Sequence, residues 1–234
     1  VYRGLVLLVA ASPCALAAST VSATLSATSN LAKRGVLSKG STFLSQLADI
    51  DAIAFDKTGT LTRGKPEVTH YYFADSVNEE QVIDIVVSLE KGSNHPLANA
   101  ILGKFEAKNI LNIDVTNQIG KGLTGDYNGK NYRSGKPSSF EAAPDEYSRL
   151  NNEWSSNGNT VGYVAEDEKV IGVIALMDIP SEHAKETIDY FRILGIHTTL
   201  ITGDSELTGK AVGEQLGVAE VSANVMSAEK SNII

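Results

Sequence analysis

The chain has 234 residues, 42% of them apolar, enough to build one or two packed domains. A net charge of −8 excludes the basic surface that nucleic acid requires, and a single cysteine excludes an internal disulfide framework. The sequence opens on Val1 and stops at Ile233-Ile234 just after a charged turn, so a fragment cut at both ends is expected. No charged side chain occurs between Arg3 and Lys33, and Leu5 to Ala27 is apolar or small throughout. Such a run predicts a helix that crosses a lipid bilayer. Lys33, Arg34 and Lys39 then place its C-terminal side in the cytoplasm. Arg3 with the small residues Ala15 to Ala18 also fits a secretory signal peptide, the rival reading.

Inside that run sits Ser12-Pro13-Cys14. Proline has no N–H and its ring clashes with the preceding turn, so the carbonyl of Val9 is expected to lose its helical partner near mid-membrane. A carbonyl, a hydroxyl and a thiol would gather at one kink. A thiolate favours zinc, cadmium and copper(I) over sodium or calcium, whereas a cysteine packed as a small hydrophobe is the plain alternative. Ser29 to Leu47 then suggests a helix end, a turn through Gly35 and Gly40, and an amphipathic helix.

Ile50 to Asp56 is a short apolar run that ends at an acid followed by Lys57-Thr58-Gly59-Thr60. It predicts a buried strand with Asp56 at its C-terminal mouth, where open α/β sheets bind ligands. A carboxylate there can attack phosphorus if cations offset the repulsion between two anions; merely capping the next turn is the bland alternative. Lys57 and a magnesium ion would supply that charge.

Asp56-Lys-Thr-Gly-Thr-Leu-Thr62 resembles the phosphorylation motif of P-type ATPases, and three further motifs along the chain follow that family's order. The resemblance implies a haloacid-dehalogenase-like α/β fold: a doubly wound parallel sheet interrupted by an α+β nucleotide-binding insertion and preceded by a transmembrane helix. It implies ATP and magnesium as cofactors, Asp56 as phosphoryl acceptor assisted by Lys57 and Thr58, and Asp56 and Thr58 at the magnesium. In the heavy-metal subgroup a Ser-Pro-Cys or similar triplet lies in the membrane helix leading to this motif, so Ser12 and Cys14 become ligands for the transported ion. Cysteine on only one side of the proline favours divalent cobalt, iron, zinc or cadmium over copper(I). A multi-pass pump of the cell membrane is implied, with its soluble domains cytoplasmic, where ATP is available. That location speaks against the signal peptide. The partners implied are the metal cation, the lipid bilayer, and an actuator domain with further membrane helices outside the chain.

The domain boundaries expected are 1–40 for the transmembrane helix and its extension, 41–65 and 166–234 for the phosphorylation domain, and 66–165 for the insertion. After Pro66 come a strand over Glu67 to Phe73 and a helix over about Glu79 to Lys91. Glu90-Lys-Gly-Ser93-Asn-His95-Pro96-Leu-Ala opens a second helix; a histidine there is commonly a cap. The segment resembles the family's nucleotide-binding motif, which makes Glu90, Ser93, His95 and Pro96 candidates for contacting adenine. Gly120-Lys-Gly122 matches the second nucleotide motif in order, although Gly-x-Gly alone often marks a hairpin turn. Asn128-Gly129 predicts a hairpin, Asp145 to Ser156 a helix, and Val161 to Ala165 a strand. The way back lies between Asp167 and Asp178.

Val170 to Leu176 is expected to return the chain to the phosphorylation domain as a buried strand. Ser181 stands where the family often has a basic residue, which puts a hinge salt bridge in doubt. A helix to Leu194 and a strand over Ile196 to Ile201 lead to Thr202-Gly203-Asp204. Alternating strands and helices bring this turn to the same sheet edge as Asp56, where hydroxyl and N–H groups can hold a phosphoryl group. Helix Ser205 to Leu216 and strand Ala219 to Ser222 follow. Lys230 aligns with the phosphate-neutralising lysine of the superfamily, without the usual proline ahead of the acid. A soluble phosphatase of the haloacid-dehalogenase type is the main alternative. Such enzymes usually carry an aspartate two residues after the nucleophile as general acid, and Thr58 occupies that place here.

Overall fold

The computed structural model describes residues 1–38, 40–93, 95–118 and 122–225, in two units, Val1–Asp51 and Ala52–Ile234. In the first unit Pro13 decides the local structure. Helix α1 (Tyr2–Ala10) ends before it, α2 (Cys14–Lys33) starts directly after it with Pro13 as N-cap, and α3 (Ser41–Leu47) follows. The expected membrane-crossing helix is thereby corrected: among the described residues no helix is long and apolar enough to cross a membrane. The break divides the apolar run. The nine residues of α1 extend only about 14 Å against a hydrocarbon core of about 30 Å. The twenty residues of α2 are long enough but diluted by Ser19, Thr20, Ser22, Thr24, Ser26, Thr28 and Ser29. Hydroxyls of Ser19, Thr20, Thr24 and Thr28 donate to carbonyls three or four residues back. The Val9 carbonyl is not left unpaired either, because the Ser12 N–H donates to it at 3.3 Å.

Among its described residues the second unit contains two sheets. Strand β1 (Ala52–Asp56) leads into a turn over Lys57–Leu61 with Gly59 at φ 75°, and then the chain leaves to build an insertion. The insertion comprises β2 (Glu67–Phe73), α4 (Glu79–Glu90), α5 (Pro96–Lys104), β3 (Asp114–Gln118), β4 (Gly122–Tyr127), β5 (Lys130–Gly135), α6 (Asp145–Ser156), β6 (Thr160–Glu166) and β7 (Lys169–Met177). These strands form one antiparallel sheet in the order β2-β7-β6-β5-β4-β3. Asn128 and Gly129, both at positive φ, close the β4–β5 hairpin as the Asn-Gly pair predicts.

One strand falls in a different sheet from the one the sequence suggests. β7 is the inner neighbour of β2 and β6, so the insertion runs to Met177 rather than ending at residue 165. Its unbroken apolar run has a simple cause. The Val82, Val86 and Ile101 side chains of α4 and α5 cover one face of the sheet, and Tyr147 and Trp154 of α6 cover the other. A strand buried on both faces shows no alternation, whichever direction its neighbours run.

From Asp178 the chain crosses back. Helix α7 (Ala184–Ile193), β8 (His197–Ile201), α8 (Glu206–Leu216) and β9 (Glu220–Ser222) complete a parallel sheet of order β1-β8-β9. Leu61, Ala184, Ile188, Leu200, Val212 and Leu216 form its core. Asp178 fastens the crossover: the Thr62 hydroxyl donates to it at 2.5 Å and the Lys65 N–H at 3.2 Å. Ser181 adds no charge and instead donates to the Leu61 carbonyl through its hydroxyl (3.2 Å) and its N–H (2.9 Å). Neutral hydrogen bonds serve where a salt bridge was in question.

Candidate active site

Parallel register sets the geometry of the strand-end residues. Asp56 pairs with Ile201, so the C-terminal ends of β1 and β8 lie side by side and Thr202-Gly203-Asp204 follows directly on the neighbouring strand. Lys57 points inward, only 5% exposed, and forms an ion pair with Asp204. Asp204 also accepts from Thr160 at 3.0 Å and from the Thr202 hydroxyl at 3.1 Å. Burial pushes the Asp204 carboxyl up, but the Lys57 ammonium, by charge and hydrogen bond, and the two hydroxyls hold it below its ordinary value. The Asp204 N–H donates to Thr202 Oγ1 at 3.1 Å, which closes the turn on itself. Thr202 is buried, whereas Asp56 and Thr58 are exposed at the mouth. Thr62, also buried, ties the loop after Asp56: its hydroxyl oxygen accepts from the Gly59 N–H and its backbone N–H donates to the Lys57 carbonyl at 3.1 Å.

A second constellation lies in the insertion, around Ser134. Glu90, 8% exposed at the end of α4, accepts from the Ser134 hydroxyl at 3.0 Å. Burial pushes the Glu90 carboxyl up, and the Ser134 bond only partly offsets this. Gly122, at φ 121°, backs onto the same residue: a Cβ there would lie 2.1 Å from the Ser134 carbonyl oxygen. Only glycine permits that approach. Glu90, at the hydroxyl, and Gly122, at the backbone carbonyl, therefore meet at one residue, although 32 positions separate them in the chain. The Ser93 N–H donates to the Glu90 carbonyl at 2.9 Å, so the segment turns tightly after α4. His95 is the N-cap of α5, its Nδ1 accepting from the Leu97 N–H at 3.3 Å while its backbone N–H donates to Ser93 Oγ, and Pro96 takes the first helical position. An accepting Nδ1 leaves the ring proton on Nε2.

Gly120 and Lys230 lie outside the described residues. In the first unit, Ser12 Oγ and Cys14 Sγ are 2.7 Å apart and exposed at the break between α1 and α2. Among the described residues no group of three or more His, Cys, Asp or Glu side chains is placed to hold a metal ion. Ser134 and Thr160 escape a motif reading because hydroxyl residues are too common in strands and turns to signal partners far away in sequence.

Residues 50–232 match the haloacid dehalogenase-like hydrolase family, and the chain belongs to it. Its relatives are heavy-metal-transporting ATPases. It is 38% identical over 246 residues to a probable cadmium-transporting ATPase of Alkalihalophilus pseudofirmus, an alignment covering 100% of this chain and 34% of that protein. With a zinc-transporting ATPase of Bacillus subtilis it shares 37% identity over 238 residues, covering 100% of this chain and 37% of the other. The crystal structure of a zinc-transporting PIB-type ATPase in the E2.Pi state matches with a TM-score of 0.66 and 34% identity, covering 100% of this chain and 39% of that one. The chain thus spans about a third of the length of the curated relatives it matches.

Proposed function

We propose that the chain forms the phosphorylation and nucleotide-binding portion of an ATP-driven pump for a heavy-metal cation, divalent zinc, cadmium, cobalt or iron in preference to copper(I). The observation that carries this reading is the shared edge of β1 and β8, where Asp56 stands beside the Thr202-Gly203-Asp204 turn and the buried Lys57. The names of the relatives support the metal as cargo.

In this reading a carboxylate oxygen of Asp56 attacks the γ-phosphorus of ATP. The bond to the β–γ bridging oxygen breaks, its electron pair leaves with ADP, and an acyl phosphate remains on Asp56. Lys57 counters the negative charge of the transferred group, Thr202 and the backbone N–H of its turn hold the phosphoryl oxygens, and Lys230 adds a further cation. Thr58 can neither protonate a leaving group nor readily activate water. The phosphoenzyme therefore persists long enough to drive transport, which sets this chain apart from the phosphatases.

The residues present fit both implied cofactors. Asp56 and Thr58 offer oxygen donors, the preference of a hard cation such as magnesium. When bound, the ion would neutralise phosphate charge and orient the leaving group. For the nucleotide, buried Glu90 can accept from the adenine amine, and the His95 ring can stack or donate from Nε2, flanked by Ser93, Pro96, Gly120 and Gly122. Ser12 and Cys14 are the proposed ligands of the cargo. A pump of this kind works across a lipid bilayer with its catalytic lobes on the cytoplasmic side, together with an actuator domain and further membrane helices.

Incubating the complete pump with radiolabelled ATP and magnesium, then quenching in acid, tests the proposal. Label that is sensitive to hydroxylamine and absent from Asp56→Asn is expected, with ATP turnover stimulated by zinc or cadmium. Steady phosphate release from simple phosphate esters, unaffected by metal, would favour the phosphatase. The isolated 234 residues are expected neither to turn over ATP nor to pump.

A further inference from the structure

The Thr202–Thr208 turn is held from outside its own sheet. Lys136, the residue after β5, donates from its ammonium to the Gly203 carbonyl at 2.6 Å. Thr160, first in β6, donates to Asp204 Oδ1 at 3.0 Å. The buried Thr208 hydroxyl donates to the Asn159 carbonyl at 2.8 Å. Asn159 is itself fixed, accepting from Thr69 Oγ1 at 2.7 Å and donating to the Trp154 carbonyl at 3.0 Å. β5 and β6 are antiparallel neighbours, so the end of one and the start of the other lie at the same end of the insertion's sheet. Three donor–acceptor pairs therefore cross between the insertion and the phosphate-side turn.

The Lys136 contact has a chemical consequence. Gly203 C=O and Asp204 N–H belong to one peptide unit, and that N–H donates to Thr202 Oγ1. A cation on the carbonyl draws electron density through the amide and strengthens the donor at its other end. The Thr202 hydroxyl is thereby fixed by a residue of the insertion, through a peptide of the phosphorylation core. We propose that Lys136 is a positioning residue for phosphoryl transfer. It acts on Thr202 through the Gly203–Asp204 peptide and, with Thr160, couples the place of the insertion to the geometry of the turn. This inference rests on the pump reading for its catalytic consequence but not for the contact itself.

Two arms test it separately. In the 234-residue chain without nucleotide, hydrogen exchange followed by mass spectrometry reads the 202–208 amides directly. Lys136→Ala should speed their exchange by about three- to tenfold, the effect of losing one partly exposed charged hydrogen bond. The buried strand at 170–176 should stay unchanged, Lys136→Arg should restore protection, and Thr160→Val should loosen the same peptide. Native exchange in Lys136→Ala, or loss of protection spread equally over 170–176, would overturn the contact. In the complete pump, Lys136→Ala should slow phosphoenzyme formation at saturating ATP by a similar factor while the ATP concentration for half-saturation moves less than twofold, and arginine should rescue the rate. A normal rate in the alanine variant, or no rescue by arginine, would overturn the positioning role. Absence of any phosphoenzyme in the native pump would defeat the pump reading and, with it, the catalytic claim, leaving the exchange arm to decide the contact.

Discussion

Half-buried Asp204 and buried Glu90, two carboxyls of the second unit, are treated in opposite ways. Asp204 is surrounded by a lysine and two hydroxyls, and its charge is retained despite burial. Among the described residues Glu90 is given the hydroxyl of Ser134, and burial prevails. An acid whose task is to hold a lysine and a turn in place must stay ionised whatever else binds. In the proposed reading Glu90 is an acid left undersupplied for a hydrogen-bond donor of the nucleotide, which then completes what the protein leaves out. The contrast predicts opposite pH responses. Stability contributed by Asp204 is present above its ordinary value of 3.8 and is lost as pH falls through its depressed folded value. With Glu90 the folded chain binds the proton more tightly, so stability is present at low pH and is lost as pH rises from 4.5 through its raised folded value.

The largest expected effect comes from breaking the compensated site. Lys57→Met leaves Asp204 buried without its cation and should lower stability by about 3–5 kcal/mol in chemical denaturation. A loss below about 1 kcal/mol would mean that the pair is solvated and the contrast false. Next is Ser134→Ala, which removes the hydroxyl partner of Glu90 and should cost about 1–3 kcal/mol at neutral pH, less at acid pH where Glu90 is protonated. The smallest and most informative change is Glu90→Gln. Removing an undercompensated buried charge should raise stability at pH 7 by on the order of 1 kcal/mol and flatten the decline above pH 4.5, while weakening ATP binding in calorimetry. Lower stability at pH 7 would place Glu90 with Asp204 as a compensated acid.

Much of this arrangement is legible in the sequence because local signals agree. Asp56 and the Thr202 turn each close a short apolar run, and parallel pairing then needs no further information to bring them together. Lys57 is a different matter: no pattern says whether a lysine beside a strand-end acid points to solvent or inward, and only its pairing with Asp204 decides it. β3 left no trace because Asp114–Gln118 is an exposed edge strand with a single apolar residue, Val115. For β7 the apolar run was visible but its sheet was not, since burial on both faces erases the alternation that tells antiparallel from parallel. The N-terminal run misled in another way. Counting apolar residues across Pro13 joins two helices that the proline separates, and the hydroxyls of α2 look apolar only as part of an average.

The most direct test of the central claim is to locate the phosphoryl group chemically. Borohydride reduction of the acid-quenched phosphoenzyme converts an acylated aspartate to homoserine, which peptide mass spectrometry assigns to a position. Homoserine at residue 56, dependent on ATP, is the predicted result. Homoserine at any other aspartate, or label that survives on a hydroxyl or imidazole side chain with residue 56 unchanged, would contradict the account.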